Sequence, residues 1–225
     1  MYTPLQQRLM SVRASLPTGV ELVAVSKYHP VEALREAYDA GQRIFGESHV
    51  QEMQEKRGML PSDIEWHFIG HLQTNKVKYI VPYVSLIHAV DSRKLLLEIE
   101  KQAARCGRVV SCLLELHVAA EATKYGFTIE EARNLLMSND LKDLAHVKIR
   151  GLMCMATYTD NTAQIRHEFA QAHALFQEVK AARYADDETF GLRSWGMSHD
   201  YELAIEEGSN MVRVGTKIFG ERQYI

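Results

Sequence analysis

Short apolar or β-branched runs recur along the chain, and between them the hydrophobic spacing changes from an alternating to a helical period. Eight runs stand out: ELVAVSK at 21–27, IFGES at 44–48, EWHFIG at 65–70, LIHAVD at 86–91, VSCLLELHV at 110–118, IRGLMCMAT at 149–157, FGLRSWGMS at 190–198 and MVRVG at 211–215. Each is short enough for a strand. The segments between them carry helix punctuation. Pro30 suits the first turn of VEALREAYDA, and Gly41 suits the left-handed position after its end. Asp91 is expected to cap SRKLLLEIEKQAARC, Thr128 forms a capping box with Glu131, and Thr162 is expected to open the stretch AQIRHEFAQAHALFQEVKAAR. A further helix, from about Thr3 to Ser15, precedes the first run.

Strand and helix thus alternate through the chain with no linker-like stretch or shift in composition. This predicts an α/β fold: a single (β/α)8 TIM barrel over residues 1–225, with an N-terminal helix in front. An open doubly wound sheet is the competitor. It would normally place a glycine-rich turn after its first strand, whereas this strand runs into Ser26-Lys27-Tyr28-His29-Pro30.

Composition narrows the function classes. A hydrophobic fraction of 46% with 24% charged residues is that of a globular protein, which excludes disordered and fibrous classes. Twenty-six basic against twenty-nine acidic residues leave a net charge of −3, so no basic excess favours nucleic acid. Cys106, Cys112 and Cys154 have no paired spacing and read as reduced thiols. With no signal-like or membrane-spanning apolar stretch, the expected compartment is the cytoplasm, without a membrane partner.

In such a barrel the chemistry sits at the C-terminal ends of the strands. Val23, Val25 and Lys27 share one face of the first strand; if it points inward, Lys27 brings an amine to the mouth of an apolar barrel. Partial desolvation there favours the neutral amine, which condenses with aldehydes. The plain alternative is a lysine that ends a strand and reaches into solvent. Arg213, on an otherwise apolar eighth strand, needs an acceptor or an anion. Gly196, Met197 and Ser198 after the seventh strand, with Gly215 and Thr216 after the eighth, could form a phosphate cradle, and Ser198 has the pattern of a helix N-cap. Lysine plus cradle suggests pyridoxal phosphate, while a sugar-phosphate aldolase or isomerase would use the same parts. His67 and His88, inside strands, read as hydrogen-bonded core residues, whereas His71 is more open and His117 lies at a strand end. Met53, Met153, Met155 and Met211 read as core packing.

The motifs AVSK at 24–27, FGES at 45–48, WHFIGHLQTNK at 66–76, IHAVD at 87–91, GLM at 151–153, GMSHDYELAI at 196–205 and VRVGTKIFGER at 212–222 run in order across nearly the whole chain. Together they resemble the pyridoxal phosphate homeostasis protein family. The resemblance implies a barrel like the N-terminal domain of alanine racemase, the type III pyridoxal phosphate fold. It implies pyridoxal 5′-phosphate held as an internal aldimine on Lys27, with Ser198, Gly215 and Thr216 and the backbone of Gly196 and Met197 on the phosphate. Arg213 would face the pyridine nitrogen. Ser48 stands where the family usually has Asn, a position expected beside the cofactor ring; the loop at 117–127 and Trp195 also depart from the family pattern.

An arginine at the pyridine nitrogen disfavours protonation of the ring and weakens it as an electron sink. Racemases on this barrel add a base from a second domain, for which 225 residues leave no room. The expected function is therefore intracellular cofactor homeostasis without an established reaction. Pyridoxal-phosphate-dependent apoenzymes are candidate recipients, and the assembly is expected to be a monomer or weak homodimer. The alternative is an amino-acid racemase of low activity, with His71 and Tyr125 as candidate groups on the opposite face.

Overall fold

The computed structural model describes residues 2–120 and 125–221. Strands β1 (Glu21–Val25), β2 (Ile44–Glu47), β3 (Glu65–Phe68), β4 (Leu86–Val90), β5 (Val110–Leu116), β6 (Val147–Cys154), β7 (Leu192–Met197) and β8 (Met211–Val214) pair in parallel in chain order. The barrel closes where β8 returns to β1, with Leu22 opposite Val212. Around it lie helices α1 (Pro4–Ser15), α2 (Val31–Asp39), α3 (Val50–Met59), α4 (Val77–Ile80), α5 (Arg93–Cys106), α6 (Ile129–Met137), α7 (Thr162–Arg183), α8 (Tyr201–Glu206) and α9 (Thr216–Phe219). Among the described residues no helix is long and apolar enough to cross a membrane.

All eight expected strands form, but their ends differ. Every ladder stops short of its apolar run, because the last residues turn away to build the mouth; β1 ends at Val25, leaving Lys27 in the turn that follows. β6 starts at Val147, two residues before the expected Ile149. Phe190 stays out of β7, its ring buried beside those of Phe176 at 5.3 Å and Tyr184 at 4.2 Å.

Three expected caps are corrected. Ser92, not Asp91, caps α5, its hydroxyl accepting the Leu95 N–H at 3.3 Å. Asn161, not Thr162, caps α7 through Gln164 N–H at 3.2 Å, and Thr162 is the first helical residue. Ser198 does not cap α8; Asp200 occupies that position, two residues later. Ser92 and Asn161 sit where the backbone is still extended, which lets the side chain reach the third helical N–H, whereas Asp200 turns its carboxylate to the Met197 N–H and gives α8 no side-chain cap. The capping box of Thr128 with Glu131 is present as expected.

Strand residues alternate between two apolar layers. Outward side chains such as Ala24, Phe45, Trp66, Leu114, Leu152 and Val212 pack beneath Leu34, Met53, Ile99 and Phe169 of the helices, all buried. Inward, Val23, Leu86, Leu113, Met153 and Met211 plug the barrel, with Ile44, Met155 and Leu192 against them. Two residues nearer the mouth on the same inward faces the filling turns polar: His88 follows Leu86, Glu115 follows Leu113, Ser194 follows Leu192 and Arg213 follows Met211. The apolar plug keeps water from below, and the polar layer forms the floor of the mouth.

Candidate functional site

The turn carrying Lys27 begins where β1 leaves the sheet. Ser26 is buried, donates its N–H to the Gly46 carbonyl at 3.0 Å and accepts the His29 N–H at 3.1 Å. Lys27 itself is half-buried, and Tyr28 takes a left-handed φ of 65°. For a bulky residue that backbone is costly, and it persists only where neighbouring contacts impose it.

The loops after β7 and β8 meet beside this turn. The Gly215 N–H donates to the Ser198 hydroxyl at 3.1 Å, joining the two loops directly. A Cβ on Gly215 would stand 3.0 Å from the Val25 carbonyl oxygen, so glycine allows the β8 loop to press against the end of β1. Thr216 opens α9, whose first N–H groups have no acceptor within the helix. The Met197 N–H is bound by the Asp200 carboxylate at 2.6 Å, which folds the turn and orients Ser198. Gly196, at φ 93°, has no room for a side chain: a Cβ would lie 2.6 Å from that of Ala204 and 2.8 Å from Tyr201 Cα. Its role is to let β7 lie against α8. Lys27, Ser198, Gly215 and Thr216 are thus brought to one edge of the mouth, with Gly196 and Met197 shaping that edge.

Arg213 lies beneath it, 3% exposed, with one guanidinium nitrogen donating to the Ser194 carbonyl at 2.6 Å and hydroxyl at 2.7 Å and another to the Cys154 carbonyl at 2.9 Å. These oxygens supply the acceptors that its burial demands. Ser194 continues the network: its hydroxyl lies 3.0 Å from His88 Nδ1, and His88 Nε2 lies 3.0 Å from His67 Nδ1. One arrangement gives the Ser194 proton an acceptor. Arginine can only donate, so Ser194 donates to His88 Nδ1 and His88 donates from Nε2 to His67. Burial keeps both rings neutral, holding His67 down to about 3 and His88 well below its ordinary value, with His67 and Arg213 adding to the effect on His88. The two histidines are hydrogen-bonded core residues, as expected, tied to each other and to β7 rather than to loops.

The far side of the mouth carries a second arrangement. His71 Nδ1 is 2.8 Å from the Asp91 carboxylate, and its ring stacks on Tyr125 at 3.9 Å. Nearby, burial lifts the Glu115 carboxyl to about 7, with Asp91 pushing in the same direction and Arg213 opposing. Ser48, after β2, lies 3.2 Å from His49 Nδ1 and packs so closely on Gly70 that a Cβ there would fall 2.6 Å from its own. Within the loop expected to depart from the family pattern, residues 121–124 lie outside the described residues.

Ser194 and Glu115 were not singled out from the sequence, although alternation on β7 and β5 places both on the inward faces. The signal was strand parity, and the choice of which parity faces inward needs the closed barrel.

The family model described as "Alanine racemase, N-terminal domain" matches residues 3–223. A curated relative from Aquifex aeolicus, named pyridoxal phosphate homeostasis protein, is 41% identical over 205 residues, covering 91% of this chain and 88% of its own. The chain belongs to the alanine racemase N-terminal domain family, among its pyridoxal phosphate homeostasis proteins. Its closed eight-stranded barrel is the fold of that family. PipY of Synechococcus elongatus, solved with PLP bound, superposes with a TM-score of 0.86 at 39% identity, covering 96% of this chain and 100% of that one. Alanine racemase of Streptomyces coelicolor superposes at 0.73 with 17% identity, and the chain spans 57% of its length; this likeness is one of fold.

Proposed function

We propose that the chain holds pyridoxal 5′-phosphate at the barrel mouth as one cofactor-binding domain and keeps it available to pyridoxal-phosphate-dependent apoenzymes. The observation that carries the reading is the Ser198–Gly215 hydrogen bond beside a close approach of Gly215 to the end of β1, which sets a lysine and a two-loop cradle on one edge. Relatives named for pyridoxal phosphate homeostasis and a 39% identical neighbour solved with the cofactor support it. When bound, the cofactor supplies an aldehyde that condenses with a primary amine.

On this reading Lys27 provides the amine. Ser198 and Thr216 hold the phosphate ester through hydroxyl and backbone N–H donors, with the Gly215 N–H fixing the Ser198 oxygen, on a turn that Gly196 and Met197 shape. Arg213 presents its fixed positive charge to the pyridine nitrogen and opposes a proton there, because Ser194 and Cys154 already hold the guanidinium in place. Ser48 lines the ring edge. A ring that stays unprotonated stabilises carbanions poorly, which favours holding over turnover.

The test is borohydride reduction of the loaded protein followed by peptide mass analysis. Label on Lys27 is expected. In Lys27→Ala the label is expected to disappear while weaker, phosphate-dependent binding remains; equal labelling of parent and variant refutes the assignment. A second reading, slow racemisation of amino acids, is favoured by the His71–Asp91 pair stacked on Tyr125, which sets an acid–base group at the same mouth. Exchange of the alanine α-hydrogen with solvent deuterium, lost in His71→Ala, would establish it.

A further inference from the structure

A buried ion cluster lies behind the Lys27 turn, and neither the cradle nor the floor of the mouth uses it. Lys56 of α3 is 4% exposed, and its Nζ lies 2.7 Å from each of three oxygens: the Ser26 carbonyl, Glu47 Oε1 and Glu52 Oε1. The Ser26 hydroxyl donates to Glu47 Oε1 at 2.6 Å, and the Tyr28 N–H donates to Glu52 Oε1 at 2.6 Å. The cluster therefore grips the carbonyl of the peptide group before Lys27 and the N–H of the peptide group after it. Peptide groups are planar, so fixing those two planes fixes φ and ψ of Lys27 and with them the direction in which its side chain leaves the backbone.

Three further features fit this use. Tyr28 sits in the left-handed region at φ 65°, a conformation that needs an imposed hydrogen bond, and Glu52 supplies one. The outer side of the turn borders a cavity of about 420 Å³ lined by Tyr28, His29, Pro30, Glu52, Lys56 and Met59, so the Glu52 and Lys56 groups hold the turn on that side together with the ring contacts of Tyr28 to His49 and of His29 to Phe219, each at 5.1 Å. Glu47 Oε2 is buried without a hydrogen-bond partner, and one ammonium between two carboxylates is a poor substitute for apolar packing as a source of stability.

We propose that Lys56, Glu47 and Glu52 are positioning residues for Lys27, directing its amine at the aldehyde of a ligand whose phosphate ester is held elsewhere. The inference rests on the reading of Lys27 as the attachment site. The step it serves is the attack of the neutral Lys27 amine on the aldehyde carbon; a C–N bond forms, the two protons of that nitrogen pass to the carbonyl oxygen, which departs as water, and C=N remains. No oxidant or reductant takes part.

Two probes separate positioning from general structure: pyridoxal 5′-phosphate, and the corresponding 4′-alcohol, which carries the same phosphate but cannot form the bond. Parent, Glu52→Ala, Glu52→Gln and Lys56→Met proteins are compared for the rate of borohydride-fixable attachment and for affinity toward the alcohol, with folding checked by circular dichroism. In Glu52→Ala, attachment is expected to slow by about tenfold or more while affinity for the alcohol stays within about twofold. Glu52→Gln, which keeps an oxygen for the Tyr28 N–H, is expected to recover most of the rate. Equal attachment in parent and Glu52→Ala overturns the inference, as does parallel weakening of both probes. Lys56→Met tests the other peptide group; if it does not fold, the Glu52 pair alone decides. A parent that never labels Lys27 refutes the function proposed above, whereas a labelled parent with an indifferent Glu52→Ala refutes only the positioning role.

Discussion

His67→Asn tests the polar floor of the barrel. In the folded chain burial holds the His67 ring down to about 3 from its ordinary 6.5, whereas the unfolded chain protonates near 6.5. Between those values the unfolded state binds more protons, so the stability contributed by the neutral ring is complete above pH 6.5 and drains away as pH falls toward 3. Each pH unit below the unfolded value removes about 1.4 kcal/mol, so at pH 5 His67 alone removes about 2 kcal/mol, a large part of a typical total of ~5–15 kcal/mol. Glu47 and Glu115 act in the opposite sense. Their carboxyls are raised to about 7 by burial, so the folded chain takes up protons before the unfolded chain does, and acidification from pH 7 stabilises it through them. The raw pH profile is therefore a sum of opposing contributions, and the informative quantity is the difference between parent and variant. Asn can still accept from His88 Nε2 but does not titrate. Urea unfolding at several pH values between 7.5 and 5 is expected to show the parent losing about 2 kcal/mol relative to His67→Asn, in addition to a pH-independent offset from the altered contact. Parallel profiles would refute a neutral, buried His67 and, with it, the proton arrangement assigned to Ser194 and Arg213.

Other variants address the cradle and the frame separately. Gly196→Ala forces a Cβ to within 2.6 Å of Ala204 at a φ of 93°, and is expected to lower stability by about 1–3 kcal/mol and to weaken phosphate binding together, read by thermal melts and cofactor titration. Ser198→Ala leaves the Gly215 N–H without its acceptor and is expected to reduce affinity for inorganic phosphate or the cofactor by about five- to tenfold, equivalent to ~1 kcal/mol, with the melting temperature little changed. Thr128→Ala removes the α6 capping box and should cost about 1 kcal/mol of stability while cofactor binding is unchanged, making it a control for effects confined to the frame.

Much of the fold was legible because its signals are local. Most strand residues are apolar on both faces, each helix carries its own punctuation, and eight repetitions of that rhythm leave few ways to bury every face. Lys27, Arg213, Ser198 and Gly215 stand out in the sequence for a similar reason: each is the wrong residue for plain packing at a strand or strand end. The misplaced caps at Asp91, Thr162 and Ser198 show the limit of that reading. At α5 and α7 neighbouring oxygens could satisfy the same N–H, and only the path of the entering chain selects Ser92 and Asn161; at α8 no side chain caps, and Asp200 accepts the Met197 N–H instead. Asp91 and Ser198 were then available for contacts between loops, with His71 and Gly215.

By itself, the sequence determined the order of the elements, the apolar runs that build the core and the residue types whose chemistry suits a phosphorylated aldehyde, since these depend on periodicity and on side-chain chemistry. Only the tertiary structure decided who meets whom: Ser194 with Arg213 and His88, Glu52 with the peptide group after Lys27, Gly215 with the end of β1. Some of those partners lie far apart in the chain, as Ser194 and His88 or Gly215 and the end of β1 do, and all meet through the register and tilt of the closed barrel and the packing of its helices, quantities that no local run of residues contains.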